Sequence, residues 1–162
     1  MDIEHATALC VSERPDSVLG VCNRLNLALV DRRAASLLPE LLTIFRDKGL
    51  EVRGSPRAIE AAGNSILPHD RDRLGYEWAN EPERIATVTL DVVDDLDDAV
   101  RIANEETSGL AAGIVTEYEE AANRFLDGYR GTAAFWHATT RFTDGFELTA
   151  GHELRDLPRA RV

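Results

Sequence analysis

Lysine is nearly missing from this chain. Lys48 is the single one among 18 basic residues, and the 29 acidic residues set against them give a formal net charge of −11. With no basic stripe to neutralise phosphates and an overall field that repels them, a nucleic-acid partner is not expected. An acidic surface so poor in lysine fits a protein kept hydrated in strong salt, where screening removes self-repulsion. A GC-rich genome that encodes arginine in place of lysine accounts for the same count. Cysteine is scarce too: Cys10 and Cys22 are too few for a disulfide framework and show no CxxC or Cys/His zinc spacing, so each is judged as a thiol. No apolar run approaches the roughly 20 residues of a membrane span. The opening MDIEHATALCVSERP has neither a basic start nor an apolar signal core. These absences predict a cytoplasmic protein with no membrane partner. Also missing is a glycine-rich turn joining a strand to a helix in a nucleotide-binding pattern, and no internal repeat or low-complexity stretch is evident.

What is there suffices for a core: 44% hydrophobic residues over 162 residues predict one globular domain. Ile3, Ala6, Leu9 and Cys10 recur at helical spacing, ahead of a turn at Arg14-Pro15-Asp16-Ser17. Leu25, Leu27 and Leu29 alternate with Asn26 and Ala28 before Val30, which predicts a strand. Asp31 then caps a segment whose Leu37, Leu38, Leu41, Leu42 and Phe45 form an apolar helix face, with Pro39 tolerable only in its first turns and Gly49 as the stop. Leu50 to Arg53 predicts a short strand, and Ser55-Pro56 an N-cap and first helical residue. Residues 63–82 are polar and turn-rich and read as a long irregular excursion. Ile85 to Val93 is a strand, Asp94-Asp95 an acidic cap, and Leu96, Ala99, Val100, Ile102 and Ala103 a helix face. Ala111 to Val115 and Thr132 to Trp136 are further strands, and Thr116 with Glu119 predicts a capping box for the helix between them. Strands alternating with helices predict an α/β fold, a parallel-rich sheet with helical crossovers.

Read by its neighbours alone, Cys22 is open to two readings. Gly20 lets backbone approach a ligand and a thiol at the lip of a sheet can be reached by substrate, while a lone cysteine is also a common small core residue. His137 has the chemistry of an acid or base, or of a packed ring beside Trp136. Asp94-Asp95-Leu96-Asp97-Asp98 lacks the glycine and spacing of a calcium loop and reads as a solvated helix start, so no metal is predicted.

Five segments in order carry a resemblance. Val21-Cys22-Asn23-Arg24-Leu25-Asn26-Leu27-Ala28-Leu29-Val30 resembles the nucleophile segment of the γ-glutamyl phosphate reductases (glutamate-5-semialdehyde dehydrogenases of proline biosynthesis), members of the aldehyde dehydrogenase superfamily. Glu77-Trp78-Ala79-Asn80-Glu81 resembles the family's acidic, tryptophan-containing segment, and residues 90–103 the strand and helix after it. Residues 108–116 are similar to the stretch that follows. Ala138-Thr139-Thr140-Arg141-Phe142-Thr143-Asp144-Gly145-Phe146-Glu147 resembles the family signature most closely.

The resemblance implies a catalytic domain of the aldehyde dehydrogenase type, the C-terminal thiol domain over residues 1–162, with the family's Rossmann-like cofactor domain and its C-terminal tail outside the chain. It implies Cys22 as nucleophile and a small-molecule acyl phosphate as substrate. It implies NADP as cofactor, with Glu81 at a position that holds a cofactor ribose or is simply an exposed acid. Thr139, Thr140, Arg141, Phe142, Thr143 and Asp144 would face the substrate, with Arg141 forking onto a carboxylate or phosphate; alternatively Arg141 and Asp144 pair to shape the turn. Two departures stand out: His137 where the family has asparagine, and Leu110 where the reductases have histidine, although Leu110-Ala111-Ala112-Gly113 looks like the broader aldehyde dehydrogenases. Two other readings stay open, a non-catalytic binding domain of the same fold and a split aldehyde dehydrogenase with another substrate. Either way a separate Rossmann-type half or a second copy is the expected partner.

Overall fold

The computed structural model describes residues 25–63, 65–78, 86–143 and 160–161. The helix expected from Ile3 to Cys10 and the turn at Arg14 lie outside them, as do Cys22, Glu81, Asp144 and the side chain of Arg141.

β1 (Leu27–Asp31) leads into a 3-10 turn, Arg32–Leu37, whose start is capped by the Asp31 carboxylate accepting from Arg33 N. α1 (Leu38–Asp47) follows with Pro39 in its first turn, where a missing N–H leaves no hydrogen bond unmade. Gly49, at φ +78°, turns the chain out of it. β2 (Glu51–Gly54) is succeeded by α2 (Pro56–Ala62), and Ser55 caps α2 by accepting from Ala58 N, as its sequence position predicts. The long excursion is less irregular than expected. It holds β3 (Leu67–Pro68), paired in parallel with Arg53 and Gly54 of β2, and a 3-10 turn at Arg71–Arg73. β4 (Thr87–Val93) runs into α3 (Leu96–Glu105), capped by Asp95 accepting from Asp98 N. β5 (Ala111–Ile114), α4 (Glu119–Gly128), β6 (Ala133–Trp136) and β7 (Ala160–Arg161) complete the described chain.

The fold is α/β with parallel strands and helical crossovers. The strands form two sheets among the described residues rather than the single one expected. The first has the order β1-β4-β2-β3 and is parallel throughout; the second is β5-β6-β7, with β5 and β6 parallel and β7 antiparallel to β6. β4 is buried along its length. Its Val88, Leu90 and Val92 share a cluster with Leu38, Leu42 and Phe45 of α1 and Ala58 of α2. Val93 packs instead with Leu74 and with Ile102 of α3, joined by Leu27 and Leu29. The period of two along β4 thus divides two cores, and each fully buried side chain of this size contributes roughly 1.5–3 kcal/mol.

The capping box expected of Thr116 and Glu119 does not form. The Thr116 hydroxyl accepts from Tyr118 N at 3.2 Å, closing a local turn two residues on, and Tyr118 caps α4 with no side-chain bond. A hydroxyl that can reach an N–H two residues away has no need of the helix start.

Candidate active site

Parallel pairing fixes which chain segments meet. Leu27 at the start of β1 pairs with Thr89, two residues into β4, so β1 and β4 begin side by side. Cys22 lies five residues before Leu27 and Glu81 six before Thr87. Both lie outside the described residues.

Thr89 ties Asn26, ahead of β1, to Trp78. It is fully buried; its N–H donates to Asn26 O at 2.8 Å, and its hydroxyl accepts from Trp78 Nε1 at 2.9 Å. Asn26 stands four residues after Cys22 and Trp78 three before Glu81. Nothing in the sequence marks this threonine apart from its place in an apolar strand, where a polar residue must find a partner.

The turn expected to face substrate follows β6. Thr140–Thr143 is a 3-10 turn, closed by Phe142 N donating to Thr139 O and by the Thr143 hydroxyl donating to Thr140 O at 2.6 Å. Phe142 packs with Ala111 on the cluster of Ala133, Phe135 and Ala138, so the turn folds back along β5 and β6 toward their first residues. Of the six signature residues, Thr139, Thr140, Phe142 and Thr143 are half-buried in one turn. Phe142 serves as its apolar anchor.

The residues that hold this turn are ones the sequence left ambiguous. His137 has φ +53°, the one non-glycine in the left-handed region among the described residues, a conformation that histidine and asparagine tolerate better than most. Its Nε2 accepts from Thr116 N at 3.2 Å, and Trp136 Nε1 donates to Thr116 O at 3.0 Å. The pair thus holds both backbone groups of Thr116, its N–H and its carbonyl, just beyond β5. His137 is a packed ring, tilted against Trp136 at 5.5 Å between centroids.

The far ends of the strands, where α/β sheets hold phosphates, are lined with acids. There Asp31 and Asp95 cap the 3-10 turn and α3 with carboxylates, and Asp94 stands beside them on Arg32 at 3.0 Å. Ser55 already donates to the buried Asp91. Arg32, Arg33 and Arg57 there are already paired with carboxylates, and the described residues do not fit an NADP site. No group of three or more metal-ligating side chains is found among the described residues, and no described helix is long and apolar enough to cross a membrane.

The γ-glutamyl phosphate reductase of Thermotoga maritima superposes on 99% of this chain with a TM-score of 0.80 at 26% identity, the match covering 39% of that enzyme. The chain is a partial relative of the γ-glutamyl phosphate reductases. The reductase of Lachnospira eligens is 29% identical over 154 residues, 94% of this chain and 35% of its own length. That of Thermus thermophilus is 36% identical over 135 residues, 83% of this chain and 31% of its own length. The chain thus spans about a third of the curated reductases it matches. The Saccharomyces cerevisiae reductase, at 15% identity and a TM-score of 0.64, shares the fold. No protein-family profile matches the chain.

Proposed function

We propose that this chain is a thiol domain of the γ-glutamyl phosphate reductase type, with Cys22 as its nucleophile. The Cys22 thiolate attacks the acyl carbon of L-glutamyl 5-phosphate, a C–S bond forms, and the C–O bond to phosphate breaks with its electron pair leaving on phosphate. The product is a thioester on Cys22. A sulfur nucleophile suits the step because it splits one hard reduction into acyl transfer and a later hydride delivery. The Thr139–Asp144 turn binds the substrate, with the Arg141 guanidinium the group able to fork onto a carboxylate or phosphate. Reduction to glutamate 5-semialdehyde with NADPH requires a dinucleotide held outside the described residues, by a separate Rossmann-type half or a second copy. Glu81 is the residue of this chain assigned toward its ribose.

The observation that supports this reading most is the superposition on the Thermotoga maritima reductase over 99% of the chain. The test is the pH dependence of Cys22 alkylation in a Cys10→Ser background. An apparent thiol pKa well below the free value of about 8.5, with fast labelling, is expected. Slow labelling with an ordinary or raised pKa overturns the assignment.

A further inference from the structure

Gly113 lies inside β5, where a strand gains nothing from glycine. Its backbone is not in the left-handed region that Gly49, Gly63 and Gly109 occupy, so conformation does not account for it. A glycine inside a strand is destabilising and often marks the close approach of another backbone. Here the approaching group is the Ala138 carbonyl: a Cβ at Gly113 would stand 3.3 Å from Ala138 O and 3.8 Å from Phe135 O.

The chain around Ala138 is also tied beyond the strand. His137 N donates to Ile114 O at 3.0 Å, one step past the last parallel pair, Ile114 with Trp136. The left-handed φ of His137 then turns the chain off the ladder, and its ring accepts from Thr116 N at 3.2 Å. From there Ala138 crosses Gly113, and Phe142 packs with Ala111 at the start of β5. The run from His137 to Phe142 thus meets β5 past its end, at Gly113 and at its first residue. The first contact depends on the His137 side chain and the second on the lack of one at Gly113.

We propose that Gly113 and His137 are positioning residues that set how the Thr139–Thr143 turn lies on β5, and so how it meets the amino-acid end of the substrate, the part that acetyl phosphate lacks. The inference rests on the reading of that turn as the substrate-binding element. Two readouts on the full chain, in a Cys10→Ser background, keep the two apart. Gly113→Val brings in a residue that favours strands, so a simple strand position would accept it. Instead, exchange at Phe142 N, which donates to Thr139 O, should rise about tenfold in Gly113→Val and in His137→Val, with the ladder between β5 and β6 protected as before. His137→Asn, which tolerates the left-handed backbone, should recover much of that protection. Acylation of Cys22 in the two valine variants, followed by mass, should slow on the order of tenfold or more with L-glutamyl 5-phosphate and stay unchanged with acetyl phosphate. Unchanged exchange at Phe142, a rise spread equally over β5 and β6, slowing that is equal or absent with both donors, or failure of Gly113→Val to fold would each overturn the inference. A parent chain that acylates no faster with L-glutamyl 5-phosphate than with acetyl phosphate overturns the reading of the turn, and exchange at Phe142 still decides the positioning.

Discussion

Tyr129 carries the described structure's one buried side-chain polar atom without a hydrogen-bond partner, its hydroxyl. The ring stacks on Phe125 at 6.0 Å in a cluster with Ala103 and Leu126, and burial pushes the phenol above its ordinary range. A buried donor left unmade costs about 1–3 kcal/mol, so Tyr129→Phe should leave stability unchanged or raise it by up to about 1 kcal/mol in urea unfolding. A loss beyond about 1 kcal/mol would make Thr107, whose side chain pulls the phenol against the effect of burial, its hydrogen-bond partner. Ser55 is the opposite case: in the buried turn after β2 it donates to Asp91 and accepts from Ala58 N, so its one donor is used and it caps α2 as well. Asp91, within β4, also accepts from Val92 N at 2.8 Å.

At the scale of elements, α3 joins the core around Val93 to the cluster packed on α4. Ile102 is fully buried against Val93 and Leu74, while Ala103 packs with Phe125 and Leu126 of α4. Ile102→Ala should cost about 2–5 kcal/mol in chemical denaturation, the range for truncating a buried aliphatic side chain. Ala121, half-buried beside the buried Ala122, is the contrast: substitution there should cost far less. Most of these elements were legible beforehand. Val88, Leu90 and Val92 alternate as a half-shared strand must, and Ser55 and Asp95 are oxygen-bearing side chains three residues ahead of the N–H they cap. The two-residue strand Leu67–Pro68 was not legible, because so short a segment has no period to show. Nor was the failed capping box, where a local hydroxyl turn at Thr116 competed with the helix start. At the site, the Thr139–Thr143 turn was visible through resemblance. The grip of Trp136 and His137 on Thr116 was not, since it joins residues about twenty apart that only the parallel pairing of β5 and β6 brings together.

For the whole molecule, charge sets the acid limit. The guanidinium of Arg33 holds Asp31 below the ordinary carboxylate range, and that of Arg71 does the same for Glu106. Burial pushes Asp98 upward, but the Arg101 hydrogen bond prevails and its carboxyl too sits low. A carboxyl depressed in the folded state stabilises it fully above the unfolded value, about 4, and loses that contribution as pH falls through the folded value. Melting temperature should therefore hold steady down to about pH 5 and fall below about pH 4. A melting temperature that climbs through that lower window would contradict these ion pairs. At neutral pH added salt acts on the net charge of −11, screening its self-repulsion.

The strand order carries a consequence in time. β1 and β2 never touch as partners; each pairs with β4, which lies between them and is the last of the four to leave the ribosome. Until residue 87 is made, the first sheet consists of the two-residue pairing between β2 and β3, and Val30 and Val52 have no central strand to close against. Closing that long loop before any sheet contact is gained makes folding slow and all-or-none, and leaves the growing chain dependent on whatever shelters its unpaired strands.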